Sequence, residues 1–278
     1  AAAASSVNQD LVNIIKQAMY AGNKENVNLL PYNATVDDFK NAFSVALRES
    51  MLASNATTDG GYGYSYSYYG SQIYSFKLRF TDTTDEFIAR RDKLESAVNS
   101  VVSEIPTALS DEEKVLFVHD YLVYNCQYDN ENYLAGTIPG DSYSAYGALI
   151  NGICVCAGYS QAFTIIMDKL GIDSEYLVSS AENHAWNLVN LDGEWYHLDT
   201  TFDDPVYTSP MYDRLGYVRH TYFLLNDAEM KADDGHTSWN DGYPASTSTK
   251  YSNNSVHNVN SNCFYSNGNW YYVYNNNL

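Results

Sequence analysis

Asp192-Gly193 constrains this chain more than any other dipeptide. It lies between two runs with strand character, His184 to Leu191 and Glu194 to Asp199. Asp-Gly is a strong signal for a two-residue hairpin turn, because both central residues must take positive φ. If residues 192 and 193 are the turn, the register follows: Trp186 faces Asp199 and His184 faces Thr201. Residues two apart on a strand share a face, so His184 and Asp199 become diagonal neighbours with Cβ atoms roughly 7 Å apart. An imidazole and a carboxylate bridge that gap. A slip of one residue would put them on opposite faces.

A second stretch supplies the partner chemistry. Gly152-Ile153-Cys154-Val155-Cys156-Ala157-Gly158-Tyr159 precedes a helical run from Ser160 to Leu170, which Gly171 stops. A thiol at a helix start sits where unpaired N–H groups and the helix dipole favour the thiolate. Cys156 occupies that position. Cys154 lies outside the first turn and reads as a packing residue. A thiol, an imidazole to move its proton and a carboxylate to orient the imidazole make a catalytic triad, so Cys156, His184 and Asp199 are the candidate set. His197 shares the predicted face of Asp199 and is the rival base. Contact between Cys156 and His184 is a tertiary matter that spacing does not address.

The rest of the chain divides by pattern. Residues 9–20 and 36–53 read as helices, with Val36, Phe39, Phe43, Val45, Ala46 and Leu52 near a 3.6-residue period. Tyr62, Tyr64, Tyr66 and Tyr68 alternate with small residues, and Tyr74, Phe76, Leu78 and Phe80 alternate likewise, which predicts a hairpin with a half-buried tyrosine face. Thr83 with Glu86 and Ser110 with Glu113 are capping boxes that open two more helices. The second carries His119-Asp120; neighbours on a helix point about 100° apart, so these two are not expected to form one site. Residues 126–151 read as irregular. Residues 246–262, rich in Ser, Thr and Asn, read as a linker, and Asn267-Gly268 sets a final aromatic hairpin. Three segments result: 1–80, helices and a Tyr-rich hairpin; 81–245, a catalytic core; 246–278, a linker and an aromatic hairpin.

The 278 residues carry a net charge of −19. That argues against nucleic acid, whose phosphates need a basic face, and disfavours an anionic membrane surface. No apolar run approaches the ~18–20 residues of a spanning helix. Four cysteines do not make a disulfide scaffold, and Cys-x-Cys without companions at finger spacing does not suggest structural zinc. The Ala1–Ser6 start reads as a processed end or an expression remnant.

Three motifs in order, Cys156-Ala157-Gly158-Tyr159, His184-Ala185-Trp186-Asn187 and Asp199-Thr200-Thr201, resemble the bacterial transglutaminase-like superfamily. The upstream Glu113–Val123 and the downstream Tyr222–Leu225 and His236–Pro244 extend the likeness over about 75–245. The resemblance implies an α+β fold with a papain-like core, its nucleophile cysteine at a helix N-terminus packed on an antiparallel sheet, beside an N-terminal α/β extension. It implies Cys156 as nucleophile, His184 as general base and acid, and Asp199 as orienter. Part of the oxyanion hole would be the Cys156 N–H, with Gln127 and Tyr128 as candidates for the rest. Neither a metal nor an organic cofactor is needed. The expected reaction is acyl transfer on amide bonds of a protein or peptide through a thioester, to water or to an amine. The alternative is a non-catalytic surface-binding or adhesion module that kept the fold. The composition suggests a secreted or surface bacterial protein, with the C-terminal aromatic segment as a means of cell-surface association.

Overall fold

The computed structural model describes residues 7–58, 60–204, 206 and 217–272; Ala1–Ser6, and with them the reading of the start, lie outside it. The chain forms two compact units, divided between Glu95 and Ser96. The division falls inside a helix rather than at residue 80.

In the first unit, α1 (Gln9–Tyr20), β1 (Val27–Asn28), α2 (Val36–Glu49) and α3 (Met51–Ser54) precede the hairpin β2 (Gly63–Tyr69) and β3 (Gln72–Arg79). The sheet order is β1-β3-β2, all antiparallel. Asn8 caps α1 and Thr35 with Asp38 boxes α2, so each helix begins where its orphan N–H groups find side-chain oxygens. Leu11, Ile15, Phe39, Phe43 and Phe76 form one core. Each such side chain contributes about 1.5–3 kcal/mol by leaving water. The Tyr64 ring lies 4.4 Å from that of Phe43, so the tyrosine row is indeed a half-buried sheet face at its inner end, while Tyr68 is exposed.

The helix α4 (Thr84–Glu104) opens with the Thr83–Glu86 box. Then follow α5 (Asp111–Asn125), β4 (Gln127–Tyr128), α6 (Asn130–Ala135), β5 (Ile153–Cys154), α7 (Cys156–Leu170), β6 (Ser174–Ser179), β7 (His184–Leu191), β8 (Glu194–Leu198), α8 (Thr200–Asp203), β9 (Phe223–Leu225), α9 (Asp227–Met230), β10 (Phe264–Ser266) and β11 (Asn269–Tyr271). The segment expected to be irregular therefore holds a strand, a short helix and a π-helical turn, Gly147–Asn151. Its β4 pairs in parallel with β5 and delivers the chain to Cys156.

The main sheet has the order β6-β7-β8-β9 and is antiparallel throughout. Asp192 and Gly193 both have positive φ, as the hairpin turn requires. The observed register, Leu191 opposite Glu194 through Asn187 opposite Leu198, is the expected one. Helix α7 buries Tyr159, Phe163, Ile166 and Met167. Two polar straps fix it to β7: Ser160 Oγ shares its proton between Cys156 O and Ala185 O, and Asn187 Nδ2 donates to Ser160 O and Thr164 Oγ1.

Residues 246–262 are not a linker. Ser246 Oγ donates to Trp195 O at 2.6 Å, Tyr251 donates to Glu112 at 2.9 Å, and Tyr251, Val259 and Cys263 are buried. Low hydropathy misleads here, because the segment's polar groups satisfy backbone and carboxylate partners of the second unit. Among the described residues, no helix is long and apolar enough to cross a membrane.

Candidate active site

Cys156 is the first residue of α7, and it is half-buried. Val155 before it is extended and offers no side-chain cap, so the amides of this helix start face no competing side-chain oxygen. Gly158 is required by close approach: a Cβ there would stand 2.5 Å from Cys154 Cβ and 2.9 Å from Ser144 O. Cys154 is fully buried with its Sγ 3.4 Å from Cys126 Sγ, and burial, followed by Cys126, raises its pKa well above the ordinary thiol value. The two cysteines of the motif thus separate, Cys154 in the packing and Cys156 at the opening.

His184 begins β7 and forms its last rung with β6, opposite Ser179, at the end of the strand away from the Asp192-Gly193 turn. Its Nε2–H donates to Asp199 Oδ2 at 2.6 Å. Burial lowers its pKa, but the Asp199 charge and hydrogen bond, followed by a hydrogen bond with Cys156, outweigh it and hold the imidazole at about 10. Ser160, one turn past Cys156, grips Ala185, the neighbour of His184. That strap is what sets the distance between the helix start and the strand start. Trp186 stacks on His184 with ring centroids 5.5 Å apart.

The sequence reading of Asp199 needs one correction. The strand ends at Leu198, and Asp199 is the N-cap of α8 rather than a rung opposite Trp186. Its Oδ1 accepts from the amides of Thr201 and Phe202, which fixes the carboxylate and leaves Oδ2 for His184. The expected pairing of His184 with Thr201 is absent because Thr201 is helical. Burial would raise the Asp199 pKa, yet the His184 charge and hydrogen bonds hold it far below the usual carboxylate range.

His197, the rival base, serves elsewhere. Its Nδ1 accepts the Trp186 indole N–H and its Nε2–H donates to Asp227, so it props the underside of Trp186, and burial lowers its pKa. One residue that pattern missed is His236. Fully buried, it donates Nε2–H to Asp199 Oδ2 at 2.8 Å. Nothing in its spacing from Asp199 signals this, since it arrives on a loop 37 residues later. Two phenols share the surroundings of Cys156: burial and then the Cys156 charge push Tyr128 and Tyr176 upward, which keeps them protonated.

His119 and Asp120 also overturn an expectation. His119 Nδ1–H donates to Asp120 Oδ1 at 2.8 Å, His220 Nε2–H donates to the same oxygen at 2.8 Å, and His119 Nε2–H reaches Asp203 Oδ2 at 3.1 Å. The 100° between neighbours applies at Cβ; the imidazole swings back across it because Asp203 and His220 draw both side chains into one buried space. His119–Asp120–His220 and His184–Asp199–His236 are each sets whose ligand-type atoms lie within 4.8 Å of one another. In both, these atoms already hydrogen-bond one another.

The model of the transglutaminase-like superfamily matches residues 99–200. A search of the curated proteins finds no match. Among solved structures, the chain is similar to a TGase at 17% identity, TM-score 0.36, covering 55% of this chain and 48% of that one. It is also similar to a candidate cysteine protease from Cytophaga hutchinsonii at 16% identity, TM-score 0.31, covering 50% of this chain and 62% of that one. The chain thus spans about half of the first protein's length and under two thirds of the second's. Residues 99–200, which hold Cys156, His184 and Asp199 within an α+β unit, are thus the part of the chain that is similar to the transglutaminase-like superfamily.

Proposed function

We propose that the second unit catalyses acyl transfer from an amide bond of a protein or peptide, through a thioester on Cys156, with water as the acceptor. The observation that carries this reading is the His184 ring, held by Asp199 at 2.6 Å, while Cys156 stands at the start of α7, whose Ser160 is tied to Ala185, the neighbour of His184. Cys156 Sγ attacks the carbonyl carbon, and the C–N bond breaks as His184 passes a proton to the leaving amine. His184 then takes a proton from water, which attacks the thioester and frees the acid and the thiol. Asp199 keeps the imidazole in one tautomer and stabilises its charge. In this reading the Cys156 N–H, at the helix start, serves the developing oxyanion, and Gln127 and Tyr128, on the strand β4 that pairs with β5 just before Cys156, are the candidates for the second donor.

Iodoacetamide tests the thiol. Alkylation of Cys156 well below pH 8, lost in His184→Ala, is the expected result. An unreactive Cys156 would replace the enzyme with the non-catalytic binding module. Incubating the protein with a peptide and a fluorescent primary amine separates acceptors: hydrolysis without amine incorporation is expected. The exposed Phe264, Tyr271 and Tyr272 support the C-terminal hairpin as the segment for cell-surface association of a secreted protein.

A further inference from the structure

Asp199 Oδ2 receives two imidazoles. His184 Nε2–H lies at 2.6 Å and His236 Nε2–H at 2.8 Å, while the other carboxylate oxygen is taken by two backbone amides. A triad needs only the first of these. His236 has no exposed surface and no path to a substrate, and its ring is wedged between Phe202 at 4.5 Å, Trp186 at 5.0 Å and Tyr222 at 5.0 Å between centroids. A carboxylate stands at each ring nitrogen, Asp199 Oδ2 at 2.8 Å and Asp233 Oδ1 at 3.4 Å, whereas a Phe would fill the same space with no donor.

We infer that His236 is a positioning residue that tunes His184 through the shared oxygen Asp199 Oδ2. This rests on the acyl-transfer reading for its purpose, though not for its physics. A carboxylate oxygen that accepts two charged or polarised N–H groups divides its charge between them. The His236 hydrogen bond therefore weakens the pull of Asp199 on the His184 proton. Unopposed, Asp199 would hold the His184 proton more firmly still. The charged or titratable groups facing His236 are Asp199 at the cap of α8, His184 on β7, Asp233 with Oδ1 at 3.4 Å from Nδ1, the Tyr222 hydroxyl on that same Asp233, and His197 on β8. Because Thr201 and Phe202 hold Oδ1, removing His236 leaves the carboxylate oriented. The change is then in proton affinity rather than in geometry.

The test is a ¹⁵N-histidine NMR titration in the Cys156→Ala background, where the thiol no longer contributes to the His184 midpoint. His236→Phe, which keeps the ring and loses the donor, should raise the His184 midpoint by roughly one pH unit, a tenfold change in proton affinity. His236→Gln, which keeps a donor at the same reach, should restore most of it. An unchanged or lowered midpoint in His236→Phe overturns the inference. Should His236→Phe not fold, the parent protein still decides: the His236 Nε2 resonance must shift at the midpoint of His184, and a resonance that stays fixed overturns the inference. Failure of the acyl-transfer reading shows separately, as a Cys156 that iodoacetamide does not alkylate in the wild-type chain.

Discussion

Two buried carboxylates in the second unit do nearly the same thing with different results. Asp199 gives one oxygen to His184 and His236 at 2.6 and 2.8 Å; Asp120 gives one oxygen to His119 and His220 at 2.8 Å each. Residue types and distances barely distinguish them. The free ends of the imidazoles do. His119 turns its other nitrogen to Asp203, and His220 turns its own to the Val259 carbonyl. The other oxygen of Asp120 accepts the Cys263 amide at 2.6 Å. Every atom of that cluster is committed, and the side chains of both histidines have no exposure. In the Asp199 cluster, His184 keeps 9% of its side chain open, and the half-buried thiol of Cys156 helps to raise its pKa. A histidine–carboxylate pair becomes chemistry only where one nitrogen is left for a reacting group; closed on all sides, the same pair is a rivet.

The sharpest way to break this contrast is to remove the reacting group. Cys156→Ala should lower amide turnover by about 10⁴-fold or more with an unchanged unfolding curve, measured by peptide hydrolysis and urea titration. The reverse holds for the rivet. Asp120→Ala strands two buried imidazoles and an amide, and should cost about 3–5 kcal/mol of stability, read as a lower urea midpoint, while iodoacetamide still labels the folded fraction at Cys156.

The pH dependence of stability sharpens the rivet's role. Burial lowers the His119 pKa, but Asp120 and Asp203 outweigh it and raise it to about 9. A raised histidine value means that its contribution is full below the ordinary value of 6.5 and is lost as the pH climbs through about 9. Unfolding free energy should therefore fall by a few kcal/mol between pH 6.5 and 9, and His119→Gln should flatten that slope. A smaller effect separates the neighbouring cysteines. Cys154→Ala deletes one buried sulfur and should cost about 1–2 kcal/mol without abolishing alkylation of Cys156; loss of labelling in that variant would move the nucleophile to Cys154.

Local physics made much of this readable in advance. The capping boxes at Thr83 and Ser110, the Asp-Gly turn and the register down to Asn187 opposite Leu198 depend on residues within a few positions of one another. The pairing of His184 with Asp199, 15 residues apart, followed from that turn. What spacing could not carry was anything closed across long loops. His119 meets Asp203 over 84 residues and His220 meets Asp120 over 100, and His236 reaches Asp199 on a segment with no period of its own. The Ser/Thr/Asn-rich stretch after residue 245 was misjudged for a related reason. Composition reports what a segment lacks in apolar area, whereas Ser246 and Tyr251 are held by hydrogen bonds to residues 51 and 139 positions away.

Helix α8 deserves to be seen as a ruler. One end is Asp199, which caps it and holds His184; the other is Asp203, which accepts from His119 and from the Tyr222 amide. A single turn thus spans from the open cluster to the closed one. Its length is fixed at both ends by buried ionic contacts, so an inserted or deleted residue within Thr200–Phe202 would rotate one carboxylate by about 100° away from its imidazoles. Relatives that share both clusters should keep the length of this turn.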